Sequence, residues 1–290
     1  MPAFVSTSVF ANGTPVEWAV ESLLDLGITN IELSSIHEQE ENLLATVCHF
    51  DVHFLTHNFF PPLKDRTILN IASTDEGVRR RSLDFIQQAL DFAERLGAAV
   101  YTIHPGFLTD PLGESRSSGN YDFRFDKLKP EEVAARHAQC FENFLKSLQE
   151  IGSYLDGKDV KVAVETQGSV GEKDQVLLAR SEEMEKFLTS VRNDRIGINL
   201  NLGHLNLAAA ARGFDRKEFA AKVQSKIFAV EVTHNDGVTD EHKALRQGEW
   251  YMEILKDGFY AEVPLIFEGR FTPENEIVES YDLLKGLHGA

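Results

Sequence analysis

Ten residues of this 290-residue chain have the side chains for metal-assisted acid–base chemistry: Glu32, His57, His104, Glu165, Asn201, His204, His234, Asp240, His242 and Glu268. Imidazole and carboxylate in one cluster suit Zn²⁺, Mn²⁺ or Co²⁺ better than Ca²⁺, which takes an oxygen shell. Each residue alone also has a plain structural explanation. A single strand-end histidine is more often a hydrogen-bonded structural or substrate-contacting group than a ligand, and a single buried Glu can be a paired charge. "NLNLGH" (199–204) has the same ambiguity. Its N-x-x-H spacing fits a metal site with one carboxylate softened to an amide, and equally a polar strand end.

What raises the set above its members is where the chain's elements put it. Strand-like and helix-like segments alternate from end to end: "AFVSTSVF", "NIELSS", "VHFLTHN", "AVYTIHPG", "VKVAVETQG", "IGINLNLGH", "IFAVEVTHND" and "VPLIFEG" are each followed by a helical stretch. In the third of these stretches Leu83, Ile86, Leu90, Ala93 and Leu96 recur at spacings of three and four, and Gly97 stops the helix. "RRR" (79–81) reads as a solvated helix start, and a helix is expected within 206–226. Eight strand–helix units without a composition break predict a single α/β domain over 1–290, a closed (β/α)₈ barrel, with an open doubly wound sheet as the alternative. No G-x-G-x-x-G follows the first strand, which counts against a dinucleotide-binding sheet. Residues 107–129 form a long polar, Gly/Ser-rich insertion after the fourth strand, suited to covering an active site.

In a barrel the candidate residues fall at the C-terminal strand ends, where barrel enzymes carry their catalytic groups. Alternation places Ala163 with Glu165, Ile266 with Glu268, and Gly197, Asn199 and Asn201 on the inner face. The seventh strand is ambiguous: the parity that turns His234 inward leaves Glu231 facing the helices, unless a bulge or a water link intervenes. Asp240 and His242 follow in "DGVTDEH".

Composition narrows the partners. A formal charge of −17 disfavours a general polyanion binder, so nucleic acid is not the expected partner, although a local groove is not excluded. Two cysteines, Cys48 and Cys140, argue against a disulfide framework, and no stretch is long and apolar enough for a membrane span. The expectation is a cytoplasmic protein without a membrane anchor.

"GITNIELSS", "THNFFPP", "RRRSLDFIQQALDFAERLGAAVYTIHPG", "VAVETQG", "NLGH", "VTHNDGVTDEH" and "PLIFEG" together resemble the xylose-isomerase-like barrels. That family includes sugar and sugar-phosphate isomerases, sugar epimerases and metal-dependent apurinic endonucleases. The resemblance implies a central metal on Glu165, Asn201, His234 and Glu268, with Asn201 standing where the family usually has Asp. His57, His104, His204, Asp240 and His242 resemble the positions of the endonucleases' additional metals. It further implies isomerisation or epimerisation of a sugar, sugar phosphate or related polyol or keto acid, with Glu165 and Glu268 as the acid–base pair. Glu32, His57, His104 and His204 would contact substrate, and a homo-oligomer built on barrel helices is compatible with it. The rivals are an apurinic-endonuclease-like multi-metal phosphodiesterase and a barrel that binds sugar without turning it over.

Overall fold

A computed structural model describes residues 3–63, 69–112, 125–168 and 175–287. Eight parallel strands close into a barrel in sequence order. They are β1 (Ala3–Ser6), β2 (Asn30–Leu33), β3 (His53–His57), β4 (Val100–Ile103), β5 (Lys161–Glu165), β6 (Ile196–Asn201), β7 (Ile227–Val232) and β8 (Leu265–Phe267). Around them run α1 (Val16–Asp25), α2 (Leu43–Cys48), α3 (Glu76–Leu96), α4 (Pro130–Tyr154), α5 (Ser181–Ser190), α6 (Leu202–Arg212), α7 (Arg216–Val223), α8 (Trp250–Leu255) and α9 (Glu274–Gly286). The closed sheet settles the choice between barrel and open sheet. Residues 113–124 of the 107–129 insertion, the loop expected to cover the site, lie outside the described residues.

Two layers fill the barrel. Phe4, Leu55, Val100, Ala163, Ala229 and Ile266 form a separate apolar cluster inside it. Two residues further along those six strands stand Ser6, His57, Thr102, Glu165, Glu231 and Glu268, joined by Glu32 of β2 and by Asn199 and Asn201 of β6, all buried. Alternation explains the stacking, since residues two apart share a face. The apolar layer closes one end, and the polar layer faces the mouth, where strands pass into loops. The alternate residues, such as Val162, Val164, Ile198, Leu200, Val230 and Val232, pack outward into the helix-covered core.

Local sequence sets the helix limits. Asp75 caps α3 by accepting from the Gly77 and Val78 N–H groups, and Gly97 ends it in the left-handed conformation at φ 74°. One sequence expectation is corrected by α3. Arg79 is not solvated: its side chain is 1% exposed. Its guanidinium donates to Glu76, Glu150 and Ser147, joining α3 to α4. Within 206–226 the chain is helical twice, α6 ending where Gly213 turns left-handed at φ 74° and α7 starting where Asp215 accepts from the Glu218 N–H.

A buried histidine ties the β1 and β2 loops. His37 Nδ1 donates to the Thr14 carbonyl at 2.7 Å, so its Nε2 accepts from the Thr7 hydroxyl at 2.9 Å, and the ring is neutral. Burial pushes the His37 imidazole down to about 4, partly offset by the Thr14 carbonyl. The unfolded chain therefore takes up a proton near pH 6.5 that the folded chain refuses until about pH 4, so stability falls as pH drops through that window. Between about pH 7.5 and about pH 5 the loss from this group is roughly 2 kcal/mol. His37→Gln removes the linkage, so its stability deficit against the parent should shrink over that interval. Urea midpoints at the two pH values check it, and a constant deficit would contradict it.

Candidate metal and acid–base centre

The barrel mouth opens into a cavity of about 370 Å³. Its floor carries His57, His104, Glu165, His204, Asp240, His242 and Glu268, and its apolar wall includes Phe10, Phe107, Leu207, Val238 and Phe271. Ser8, Ser34, Asn58 and Gln167 add polar groups, and Arg270 is the one Lys or Arg on the wall among the described residues. Three wall residues, Asn58, His242 and Phe271, have positive φ, a conformation that costs a non-glycine residue energy and that occurs at functional sites.

Two triads of two histidines and one carboxylate stand side by side. In the first, His57 Nε2 and His104 Nε2 lie 3.2 and 2.8 Å from Glu165 Oε2. In the second, His242 Nε2 and His204 Nε2 lie 3.0 and 3.7 Å from Asp240 Oδ2. Glu165 connects them through Oε1, 2.8 Å from His204 Nδ1. In each triad the three candidate ligand atoms lie within 4.8 Å of one another, and Asp240 Oδ1 is buried without a hydrogen-bond partner. Two imidazoles and a carboxylate are a donor set for Zn²⁺, Mn²⁺ or Co²⁺, so the residues fit a divalent metal.

Below the triads lies an acidic layer. His57 Nδ1 is 3.8 Å from Glu32 Oε1 and 3.7 Å from Glu231 Oε1, and neither Glu32 oxygen has a hydrogen-bond partner. Burial, reinforced by Glu268 and Glu165 and opposed by His57, pushes the Glu32 carboxyl up to about 7. Burial and Glu165 likewise hold Glu231 well above the usual carboxylate range. Burial would raise Glu165 as well, but the charges and hydrogen bonds of His104 and His204 outweigh it and hold Glu165 well below that range. Burial opposes protonation of His242, yet Asp240 and Glu268 lift it to about 9. Glu268 is lowered, burial being outweighed by His242. At neutral pH Glu165 and Glu268 are therefore ionised and competent to accept a proton.

Most of the expected residues meet here: Glu32, His57, His104, Glu165, Asn201, His204, Asp240, His242 and Glu268 all belong to the layer or the cavity. His234 does not. Its backbone pairs with Lys243, its ring is edge-on to Tyr251 at 6.1 Å, and its charged neighbours are Arg246, Glu249, Glu241 and Lys243. The residue that β7 sends inward is Glu231, which resolves the ambiguity of that strand. The parity runs from Ala229 to Glu231, and His234 lies past the strand's end at Val232. Glu231 was legible as a carboxylate between two helix-facing valines; counting from His234 hid it. Asn201 is in place, but its amide nitrogen, not its oxygen, faces Glu165, Glu231 and Glu268.

Gly168, just past β5, lets the chain pass against α6. A Cβ there would stand 2.0 Å from the His204 carbonyl oxygen and 2.7 Å from its carbon, both backbone atoms that cannot swing aside. Gly168→Ala should push His204 out of its triad and lower turnover by about 10²-fold, the usual cost of misplacing a site group by about an ångström. Steady-state kinetics and a structure of the variant check this; an undisturbed His204 would contradict it.

The family model described as xylose isomerase-like TIM barrel matches residues 20–287. An uncharacterized protein of Methanocaldococcus jannaschii is 24% identical over 211 residues, covering 71% of this chain and 60% of that protein. A probable endonuclease 4 of Aquifex aeolicus is 23% identical over 231 residues, covering 74% of this chain and 71% of that one. Among solved structures, a D-tagatose 3-epimerase-like protein superposes with a TM-score of 0.76 at 20% identity, over 99% of this chain and 97% of that one. That likeness is one of fold.

Proposed function

Because the chain belongs to the xylose isomerase-like TIM barrel family, we propose that it is a divalent-metal-dependent isomerase or epimerase of a sugar or a closely related polyhydroxy carbonyl compound. The observation that carries this reading is the cavity of about 370 Å³ with ionised Glu165 and Glu268 on its floor. That size suits a small molecule, near the low end for ligand pockets. Phe10 and Phe271 offer apolar faces for a sugar ring, and Ser8, Ser34, Asn58 and Gln167 offer hydroxyl partners.

His57, His104 and Glu165 would hold one ion, and His204, Asp240 and His242 a second. A divalent ion there supplies Lewis-acid polarisation of a carbonyl, which acidifies the neighbouring C–H. One of the carboxylates Glu165 and Glu268 takes that carbon-bound proton. In an isomerisation the same carboxyl returns it to the adjacent carbon, and in an epimerisation the other carboxylate, first protonated from water, delivers a proton to the opposite face. The apolar wall keeps bulk water from the enediolate between the two transfers.

A phosphodiesterase of the apurinic-endonuclease kind is the second reading. The adjacency of two complete triads and the similarity to a probable endonuclease 4 favour it. The charge of −17 and the single Arg on the described cavity wall weigh against it, because phosphate contacts draw on clustered Lys and Arg.

The test is proton exchange in D₂O. Metal-loaded protein is offered a panel of ketoses, aldoses and their phosphates, with an abasic-site oligonucleotide in parallel. Deuterium appearing beside the carbonyl of one sugar, and ceasing on chelation, is the expected result. Strand cleavage with no exchange in any sugar would replace this reading by the second.

A further inference from the structure

We propose that the Asn201 side-chain amide occupies the place of a cation at the centre of this site and holds Glu165, Glu231 and Glu268 together in its stead. The two Nδ2 hydrogens of Asn201 are shared among Glu165 Oε1 at 3.0 Å, Glu231 Oε2 at 2.8 Å and Glu268 Oε2 at 3.3 Å. Carboxylates from β5, β7 and β8 thus converge on one nitrogen. Among the described residues, no Lys or Arg pairs with any of the three; their ionic partners are histidines. Three buried carboxyl groups crowded around one point need donors there, and alongside the histidines the amide hydrogens supply them at the centre.

The amide has only one workable orientation. Asn201 caps α6, and its Oδ1 accepts from the His204 backbone N–H at 3.0 Å. The helix fixes that N–H as a pure donor. Reversing the amide would set N–H against N–H on one side and a carbonyl oxygen against three carboxylates on the other. Thr166 fixes the backbone as well, its Oγ1 accepting from the Asn201 N–H at 3.0 Å. Asn199 supports the arrangement from beneath by donating to Glu231 Oε1 at 2.7 Å and Thr102 Oγ1 at 3.2 Å. An amide nitrogen has no lone pair to give a metal. The centre is therefore closed to a cation while the cap is made. Asn201 acts as a positioning residue, replacing a removable ion by a permanent hydrogen-bond hub.

This inference deepens the proposed metal centre, but its test reads a difference between two proteins and does not depend on the reaction. Full-length parent and Asn201→Asp are stripped with chelator, reloaded with excess Mn²⁺, desalted and analysed for bound metal. An Asp carboxylate keeps an oxygen for the cap and offers a second where Nδ2 stood, so the variant should retain one more equivalent per chain than the parent. It should also show the larger rise in melting temperature on adding Mn²⁺. If the parent holds no metal and the variant one, the metal reading of the triads fails while this inference stands. Equal metal counts with equal Mn²⁺-induced shifts would overturn it, and so would an Asn201→Asp chain that stays unfolded in excess Mn²⁺.

Discussion

Glu165→Gln should lower turnover of the cognate sugar by about 10³-fold or more while leaving the far-ultraviolet circular dichroism unchanged, since loss of a positioned acid–base group alone commonly costs 10²–10⁴. Glu165 stands at the junction of the site. One oxygen faces His57 and His104, and the other faces His204 and Asn201. The amide keeps the shape but loses the charge, and its NH₂ can neither accept a proton nor ligate a metal. Bound metal should therefore fall together with turnover. The variant should be less stable, because the surrounding histidines favour the charged form, yet folded, because Gln keeps the shape of the side chain. Turnover and metal content measured on the same preparation check both statements. Unchanged turnover would remove Glu165 from the chemistry, and lost turnover with full metal content would assign it proton transfer alone.

How much of this was readable in advance depends on the range of the interactions that fix each feature. The order of strands and helices follows from local periodicity, and parallel strands buried on both faces make a polar strand residue conspicuous. That is why Glu165, Asn199, Asn201 and Glu268 could be assigned to the inner face of the closed barrel. His234 and Glu231 show the limit. β6 and β7 shift register between Ile198 and Asn199, and β7 ends before His234. Parity counted back from a residue outside the ladder points the wrong way. Arg79 shows another limit, since its burial depends on Ser147 and Glu150 of a helix about seventy positions later. The orientation of the Asn201 amide was also out of reach. It is set by a backbone N–H three residues ahead and by carboxylates on three other strands, and a residue type does not say which end of an amide faces which neighbour.

Asn70→Ala should destabilise the fold by about 3 kcal/mol and loosen the loop that carries His104, because each buried backbone group left unpaired costs about 1–3 kcal/mol. Asn70 is fully buried just ahead of α3. Its Oδ1 accepts from the Phe107 N–H at 2.9 Å and the Ala72 N–H at 3.2 Å, while its Nδ2 donates to the Phe107 carbonyl at 3.2 Å and to Asp110 at 2.8 Å. One side chain thus stitches the loop after β4 to the approach to α3. Ser82 holds it in turn, accepting from the Asn70 N–H at 2.9 Å and donating to the Val78 carbonyl at 2.8 Å. Gly106 is part of the same fit: at φ 100°, a Cβ there would lie 2.5 Å from Asn70 Oδ1. Truncating Asn70 removes its bonds to the Phe107 N–H and carbonyl, the Ala72 N–H and Asp110 at once. The variant should lose turnover through a misplaced Phe107 wall, and should lose metal from the first triad to the extent that His104 shifts, while the second triad is untouched. Urea midpoints, metal analysis and kcat separate these effects. A destabilisation below about 1 kcal/mol would mean that water takes over the amide's bonds, and the site would then owe less to this stitch than its geometry suggests.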